Sequence, residues 1–383
     1  MVDFSLTPEQ EAIQRMAREF AEKEIVPAAA QYDRSGEYPR EIVKKAFKAG
    51  LVYGPVPEKY GGGGIGALDQ LLIAEELSAG CAGISSCIAI NSLAAIPLIN
   101  YGSEAQKEKY LGAACREEKL MALCVTEPGA GSDVAALTTT ARRLNGEYVI
   151  SGSKSFITNG GVADYYIVFA TVDLSKGHRG ITAFVVPREA EGVSVGKKED
   201  KMGQRAANTT DVIFDEVVVP AADRIGEEGE GFRIIMQTFN HSRPGVAASA
   251  VGVARSAMEH ALQYALEREQ FGMPIFMHQA VMFMLADMAR DIAAGRLLAW
   301  QAAWKAERGL DNSKEAAMAK VFCGDMVMRV TTDAAQIFGG YGYVKDYPAE
   351  KLMRDAKVFQ IYEGTAQIQR LLIGRALAKE KLK

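Results

Sequence analysis

The chain has 383 residues, which is more than one compact core usually holds, so we expect two or three domains. Its 48% apolar and 24% charged content is ordinary for a soluble globular protein, and a net charge of -4 gives no sign of nucleic acid or an anionic membrane as partner. Five scattered cysteines and four scattered histidines form no CxxC, HxxxH or HExxH pattern, so we expect reduced thiols, no disulfide framework and no metal site.

Residues 1–120 are predicted to form an N-terminal α-helical domain. Thr7-Pro8-Glu9-Gln10 has the pattern of a capping box with proline at the first helical position, and Ser103–Gln106 repeats the capping pattern. The segment Leu77 to Ser103 carries no charged residue and is long enough to span a bilayer. Its glycines, serines, asparagines and proline favour instead a pair of buried helices.

The glycine run 61–66 formally matches GxGxxG. A dinucleotide fold needs a buried strand before this motif, and here two prolines, Pro55 and Pro57, precede it. We therefore interpret the run as a turn before a helix that begins near Ala67.

Residues 121–226 are predicted to form a small β-domain with a closed or folded-over sheet. Asn145-Gly146 lies between two strand-like segments and is typical of a two-residue hairpin turn. Further β-branched and aromatic runs follow at 166–170, 181–186 and 212–214.

Residues 227–383 return to helical periodicity and are predicted to form a four-helix bundle. Pro274, the segment 311–313 and Gly339-Gly340 separate the first three helices, and Thr365 caps the last one. The predicted fold class is α+β, mainly α, in the order helices, sheet, helices.

Three segments contain residues that suggest chemistry. The turn 125–133, with Thr126 and Ser132 at its two ends, is either a plain turn or an anion-binding loop. The segment 156–161 places an aromatic residue beside Thr158. A lone acid, Glu363, stands between an apolar pair and a glycine just before the last helix, where it either complements the helix macrodipole or acts as a base.

Six motifs occur in order along the chain: CVTEPGAGSD (124–133), FITNGG (156–161), EREQFG (267–272), QIFGGYGY (336–343), RDAK (354–357) and IYEGTAQIQ (361–369). With these motifs the chain resembles the acyl-CoA dehydrogenases, especially short- and medium-chain members, over essentially its whole length.

The resemblance implies FAD as the cofactor, with Thr126 and Thr158 bonded to the flavin ring, Ser132 at the pyrophosphate and Phe156 packed over the ring. It implies further cofactor contacts from two sets of residues, the second set from a neighbouring subunit. The first set is Leu123, Val125, Gly131, Ile157, Thr365 and Gln367; the second is Arg268, Gln270, Phe271, Gln279, Gln336, Gly339 and Gly340. A homotetramer, a dimer of dimers, is the assembly implied.

The implied substrate contacts are Ser132, Phe239, Asn240, Arg243, Tyr362 and Gly364. Many relatives carry tryptophan at the position of Phe156 and aspartate at that of Asn240. Some branched- and long-chain members place their catalytic glutamate near Ser242, and this chain has no acid there, which directs attention back to Glu363.

The implied reaction is α,β-dehydrogenation of an acyl-CoA to the 2-enoyl-CoA. Glu363 would take the α-proton, the flavin would take the β-hydride, and the backbone N–H of Glu363 with a ribityl hydroxyl would stabilise the thioester oxygen. Residues 85–93 would line the acyl tail. Because no Lys, Arg or His occurs from Leu77 to Ser103, we expect an uncharged short- or medium-chain, branched or alicyclic acyl group.

The resemblance also implies an electron-transferring flavoprotein as the electron acceptor. No targeting segment is recognisable, so we expect a cytoplasmic enzyme, or one of the mitochondrial matrix if a transit peptide has been removed. Two alternatives remain open: an acyl-CoA oxidase that uses oxygen, and a non-catalytic helical scaffold of the same fold.

Overall fold

The N-terminal part of the protein is helical, as predicted. The computed structural model describes residues 4–382. Its first helices are α1 (Pro8–Phe20), α2 (Ala29–Ser35), α3 (Arg40–Lys48), α4 (Ala67–Gly80), α5 (Ala82–Tyr101), α6 (Glu104–Gln106) and α7 (Ala113–Arg116). The Thr7 hydroxyl accepts a hydrogen bond from the Gln10 backbone at 3.3 Å, and the Gln10 side chain accepts one from Thr7 N at 3.1 Å. This reciprocal pair confirms the first capping box, and Ser103 with Gln106 forms the second.

The uncharged segment forms the end of α4 and all of α5, which confirms a helix pair. By length and composition α5 could cross a membrane, but 61% of its most apolar window is buried inside the protein. The side chain of Asn91 in this helix accepts a hydrogen bond from Met121 N at 2.9 Å. Helix α5 is therefore a core element that joins the helices to the sheet. The glycine run 61–66 precedes α4 as a turn, as predicted.

The middle of the chain forms one mixed sheet of eight strands. They are β1 (Met121–Cys124), β2 (Thr140–Leu144), β3 (Glu147–Thr158), β4 (Tyr165–Thr171), β5 (Ile181–Pro187), β6 (Val193–Lys198), β7 (Thr209–Pro220) and β8 (Arg224–Ile225). Their order is β6-β7-β3-β2-β4-β5-β8, with β1 parallel to β4. Asn145 and Gly146 join β2 to β3 with φ of 52° and 85°, the left-handed pair that a type I′ hairpin requires.

Strand β4 is buried on both faces because the N-terminal helices cover one face and side chains of other strands cover the other. Alternate residues of β4 belong to two different clusters: Ile167 packs with the N-terminal helices, and Val168 packs with Phe184 and Phe214. A strand buried on both faces reads as one continuous apolar run, as β4 does.

The C-terminal part contains four long helices and one short one. They are α8 (Gly231–Glu267), α9 (Gln279–Glu307), α10 (Ser313–Phe338), α11 (Ala349–Ala356) and α12 (Ala366–Lys381), with a small hairpin of β9 (Glu269–Gln270) and β10 (Met273–Pro274) after α8. Alanine-rich faces of α8, α9 and α10 form the bundle core. Helix α4 lies directly against α8, because Gly252 has no side chain to meet the Glu75 carbonyl.

Helix α8 connects the two halves of the protein. Ile234 and Ile235 near its start belong to the core shared with the sheet, whereas Val251 and Ala254 belong to the bundle core. The residues between these two ends, 239–243, therefore lie where the sheet and the bundle meet.

Candidate active site

Glu363 lies in the turn that leads into α12. Its φ is 51° and that of Gly364 is 89°, so two consecutive residues adopt the left-handed conformation. Such a conformation is uncommon for a residue with a side chain, and active sites are one of the places where it clusters. The residue as a whole is partly exposed.

The carboxylate of Glu363 is directed towards α8 and not towards the start of α12. Ser242 Oγ in α8 donates a short hydrogen bond to Glu363 Oε2. The start of α12 is capped by Thr365, whose hydroxyl accepts a hydrogen bond from Ile368 N at 3.2 Å. The predicted cap at Thr365 is confirmed, and the cap leaves the Glu363 carboxylate facing a different helix.

Three side chains hold the two carbonyl groups of this turn. Lys320 Nζ in α10 donates to Gly364 O at 2.7 Å. Gln369 Nε2 in α12 donates to Gly364 O at 3.0 Å and to Glu363 O at 3.2 Å, and Arg243 Nε in α8 approaches Glu363 O at 3.4 Å. Sequence analysis missed Lys320 and Gln369, since both are ordinary polar residues within helical repeats.

The electrostatic surroundings keep Glu363 easier to protonate than a free carboxylic acid. Burial raises the pKa of Glu363, while the hydrogen bond from Ser242 and the charges of Arg243 and Lys320 partly oppose that rise. Burial also lowers the pKa of Lys320 to about 8, although the charge on Glu363 resists the change. The group is thus a carboxylate whose affinity for a proton has been increased.

The predicted substrate residues of α8 surround the same turn. Arg243 is 3% exposed, and its Nη1 donates to Asn240 Oδ1 at 3.1 Å. Its guanidinium lies 5.7 Å from the centre of the Phe239 ring. The structure therefore brings Phe239, Asn240 and Arg243 together with Glu363 and Gly364.

A buried ion pair holds the turn that follows β1. The Glu127 carboxylate accepts from Lys154 Nζ at 2.7 Å, from Thr138 N at 2.7 Å and from Thr139 N at 2.9 Å. The side chains of Glu127 and Lys154 are 3% and 0% exposed. Sequence analysis did not identify this pair, although both residues stand in or beside the segments that it singled out.

The same region joins the two segments with candidate hydroxyl donors. Ser155 N donates to Thr126 O at 2.8 Å, so the turn after β1 and the end of β3 are neighbours. Phe156, with φ of 57°, exposes 68% of its surface next to this junction. A Cβ atom placed on Gly129 or Gly131 would meet no atom within 4 Å, so the backbone of the turn is open to a ligand.

A second cleft lies between the C-terminal helices. It has a volume of about 670 Å³, and its lining includes Arg268, Gln270, Gly339 and Gly340. Phe271 projects next to it and is 91% exposed. Within residues 4–382, the lining contains no residue of 123–132 or 156–158.

Comparison with known proteins identifies the family. Residues 7–118 match the N-terminal domain of acyl-CoA dehydrogenase, residues 122–217 its middle domain and residues 229–378 its C-terminal domain. The chain belongs to the acyl-CoA dehydrogenase family. It is 47% identical over 373 residues to an acyl-CoA dehydrogenase of Bacillus subtilis (strain 168), covering 97% of this chain and 98% of the relative.

Two solved structures have nearly the same fold. Butyryl-CoA dehydrogenase from Megasphaera elsdenii has a TM-score of 0.96 and 43% identity, covering 98% of this chain and 100% of that one. A chain solved in work on the electron transferring flavoprotein of Acidaminococcus fermentans and flavin-based electron bifurcation has a TM-score of 0.96 and 46% identity, covering 98% and 99%. Membership establishes a FAD-dependent oxidoreductase that dehydrogenates acyl-CoA.

The residues present are suited to FAD, as expected for an acyl-CoA dehydrogenase. The exposed Phe156 face offers an apolar surface for a flat ring, and the partly exposed Thr126 and Thr158 offer hydroxyl groups at its edge. The open backbone at Gly131 and the exposed Ser132 offer donors to a phosphate. Among residues 4–382 no cluster of three metal-ligating side chains occurs.

The structure sorts the sequence-predicted site residues of this acyl-CoA dehydrogenase into three groups. One is the Glu363 turn with the α8 residues and Tyr362. Another surrounds the junction of β1 and β3, where Val125 and Ile157 are buried and Leu123 is partly exposed. The third lies on the C-terminal helices, where Gln279, Gln336 and Gln367 are all exposed.

Proposed function

We propose that Glu363 is the base that removes the α-proton of an acyl-CoA thioester. Bound flavin supplies the acceptor for the hydride that leaves Cβ. The observation that carries the proposal is the Glu363 carboxylate itself: it accepts a hydrogen bond from Ser242 on α8, it feels the positive charges of Arg243 and Lys320, and its pKa is raised by burial. A base must approach the pKa of its very weak carbon acid, and a raised pKa moves it in that direction.

The residues around the base have the following proposed roles. Arg243 and Asn240 bind the CoA part, with Phe239 packed below the guanidinium. The backbone N–H of Glu363 donates to the thioester oxygen and stabilises the charge that develops there. The hydrogen bond from Ser242 holds the free carboxylate at rest, and it must break before the carboxylate turns to the α-carbon.

The substrate is proposed to be an uncharged acyl-CoA of short to medium length, straight, branched or alicyclic. Helix α5 contains no charged residue, and its partly or fully exposed residues include Ala89, Ile90, Leu93 and Ile96. This helix is connected to the active site, because Ser86 Oγ donates to Gln204 Oε1 at 2.8 Å and Gln204 is near enough to Tyr362 to influence the pKa of its hydroxyl. The similarity to a butyryl-CoA dehydrogenase supports a short acyl chain.

We also propose that the flavin site is completed between subunits of a homotetramer. Support comes from exposed apolar side chains in the C-terminal part: Phe271 and Tyr343, which adjoin lining residues of the second cleft in sequence, are 91% and 92% exposed, and Phe283 of α9 is 60% exposed. Such surfaces mark interaction sites in soluble proteins. The cofactor contacts assigned to Arg268, Gln270, Phe271, Gln279, Gln336, Gly339 and Gly340 are part of this proposal.

The proposed electron acceptor is an electron-transferring flavoprotein, which the similarity to the Acidaminococcus fermentans chain supports. The relatives are bacterial, which gives no support to a mitochondrial location, and we propose a cytoplasmic enzyme. Reduction of a purified electron-transferring flavoprotein by enzyme and substrate tests the first point. Light scattering at known flavin content tests the tetramer.

The decisive experiment is an anaerobic titration of the flavin spectrum. Butyryl-, octanoyl-, isobutyryl-, cyclohexanecarboxyl- and glutaryl-CoA are added in turn to wild type and to Glu363→Gln. We expect an uncharged acyl-CoA to bleach the wild-type flavin, whereas Glu363→Gln keeps the flavin and the fold but loses most bleaching. Bleaching by the variant at the wild-type rate would refute the assignment of the base, and preference for glutaryl-CoA would refute the substrate class.

The same preparation distinguishes the alternatives. Steady-state release of hydrogen peroxide at the rate of substrate turnover would indicate an oxidase. A protein that binds flavin but is bleached by none of the five thioesters would leave the family assignment standing and refute our substrate proposal.

A further inference from the structure

A buried lysine stands behind the catalytic turn. Lys320, in the middle of α10, is 1% exposed, and its Nζ donates to the carbonyl oxygen of Gly364 at 2.7 Å. Burying an ammonium group is costly unless it is paired and hydrogen-bonded. The lowered pKa of Lys320, to about 8, reflects that cost. Packing alone would be served better by an apolar residue, so the position of this charge needs a functional reason.

The charged groups around Lys320 come from three elements. Glu363 lies on the turn before α12, Arg243 on α8 and Asp325 on α10 itself. The carboxyl of Glu363 faces two cations, Arg243 and Lys320, and the hydroxyl of Ser242. Neighbouring Tyr362 is affected by the same carboxyl. Two cations thus act on Glu363: Lys320 from α10 and Arg243 from α8.

We propose that Lys320 is a positioning residue for the base: it fixes the Glu363–Gly364 turn through the Gly364 carbonyl, and its positive charge favours the ionised form of Glu363. The inference rests on the proposed role of Glu363. The turn needs a restraint because two consecutive left-handed residues are intrinsically strained where one of them carries a side chain. Lys320 and Gln369 hold the same carbonyl oxygen from two helices, so the direction of this peptide is determined twice.

The second half of the role is electrostatic. Burial raises the pKa of Glu363, and an excessive rise would leave the base protonated and inactive. A cation held at the neighbouring Gly364 carbonyl limits that rise. Because Lys320 itself loses its proton above about pH 8, this effect belongs to neutral and mildly acidic conditions.

Three variants of the holoenzyme test the proposal. Lys320→Met removes both the hydrogen bond and the charge, whereas Lys320→Gln keeps a donor and removes the charge. The matched control is Lys201→Met: Lys201 also donates to a backbone carbonyl, Ala207 O at 2.6 Å, and burial also lowers its pKa to about 8. The charged neighbours of Lys201 are Lys198, Arg205 and Glu199, and Glu363 is not among the groups that shift its pKa.

Two quantities are measured for each variant. One is the dependence of kcat and KM on pH with butyryl-CoA. The other does not depend on turnover: it is the titration of the Glu363 carboxyl by infrared difference spectroscopy against Glu363→Gln. Flavin content and circular dichroism establish that each variant folds.

We expect Lys320→Met to move the acidic limb of kcat/KM upward by about one pH unit and to lower kcat by roughly tenfold or more, with a smaller change in KM. Lys320→Gln should recover much of kcat but retain the shifted limb. The difference in kcat/KM between Lys320→Met and wild type should become smaller above about pH 8, where wild-type Lys320 is neutral. Lys201→Met should leave the limb and the carboxyl titration unchanged.

The outcomes separate this inference from the function on which it rests. If Glu363→Gln is inactive but neither Lys320 variant moves the limb or the infrared titration, the inference is overturned and the base remains assigned. If Glu363→Gln remains active, the assignment of the base has failed. A shift in Lys201→Met equal to that in Lys320→Met would also overturn the inference, because any buried lysine would then have the same effect.

Discussion

Replacing Lys154 with methionine should destabilise the protein by leaving a carboxylate buried without its cation. In the folded protein Glu127 and Lys154 are almost completely inaccessible and 2.7 Å apart. Burial alone would raise the pKa of Glu127, but Lys154 and the hydrogen bonds of residues 138 and 139 lower it to about 2. Against the ordinary value of 4.5, that difference corresponds to about 3 kcal/mol for Glu127 at neutral pH, and the cost of burying Lys154, whose pKa burial lowers, offsets part of it.

An independent estimate gives the same magnitude. Breaking a buried ion pair by removing one partner costs about 3–5 kcal/mol, whereas replacing both partners by neutral groups costs much less. We therefore expect Lys154→Met to lower the free energy of unfolding by about 3 kcal/mol. The double variant Glu127→Gln/Lys154→Met should recover most of that loss, which gives a coupling between the two sites of about 2 kcal/mol or more.

The dependence on pH has a defined sign. Because folding lowers the pKa of Glu127, its stabilising contribution is complete above the unfolded value of 4.5 and is lost as pH falls towards about 2. Wild type should therefore lose stability over that range. Lys154→Met should lose less, because its Glu127 can take up a proton more readily, so the two proteins converge in acid.

The assay is urea denaturation at a fixed excess of FAD, since a ligand that binds only the folded protein shifts the midpoint by mass action. Flavin content should fall in Lys154→Met, because Glu127 anchors the turn that carries Thr126 and Ser132. The reasoning would be refuted if Lys154→Met lost less than about 1 kcal/mol of unfolding free energy. It would also be refuted if the loss in the double variant equalled the sum of the losses in Glu127→Gln and Lys154→Met.

Three further predictions concern the Glu363 turn. Ser242→Ala removes a hydrogen bond to a charged group worth about 1.5–3 kcal/mol, so the pKa of Glu363 should rise. The acidic limb of the pH profile of kcat/KM should then shift by about one unit to higher pH, and an unshifted limb would contradict the contact. Arg243→Met should raise KM for acyl-CoA by roughly tenfold, with little change for a thioester that lacks the nucleotide, and equal effects on both would rule out contact with CoA. In Gly364→Ala the new Cβ would lie 2.6 Å from Gln369 Nε2, in a backbone with φ of 89° that disfavours any side chain. We expect kcat to fall by roughly tenfold with an unchanged flavin spectrum, and wild-type turnover would show that the hydrogen bonds holding this turn are dispensable.

Much of the fold could be predicted from local patterns. The Thr7 capping box, the Asn145-Gly146 hairpin and the helix end at Gly339 each depend on residues a few positions apart. A cap or a tight turn is decided by backbone conformation and neighbouring side chains, and both are written in the local sequence. The order of helices, sheet and helices follows from the change of periodicity along the chain.

The sequence by itself also singled out Glu363, since a lone acid between an apolar pair and a glycine is unusual. It did not decide between a helix terminus and a catalytic base. The tertiary structure favours the base, because the carboxylate bonds to Ser242, 121 residues earlier in the chain, and Thr365 supplies the helix cap.

Only the tertiary structure identified the two buried lysines and the partners on which they act. Lys320 and Gly364 are separated by 44 residues, and Glu127 and Lys154 by 27. Each lysine lies in a helix or strand whose local pattern would accept many polar residues equally well. What makes them matter is burial beside a specific partner, and burial is decided by how whole elements pack against one another. Local sequence determines the backbone conformation of each segment, whereas the pKa of a buried charge depends on groups that packing brings near it.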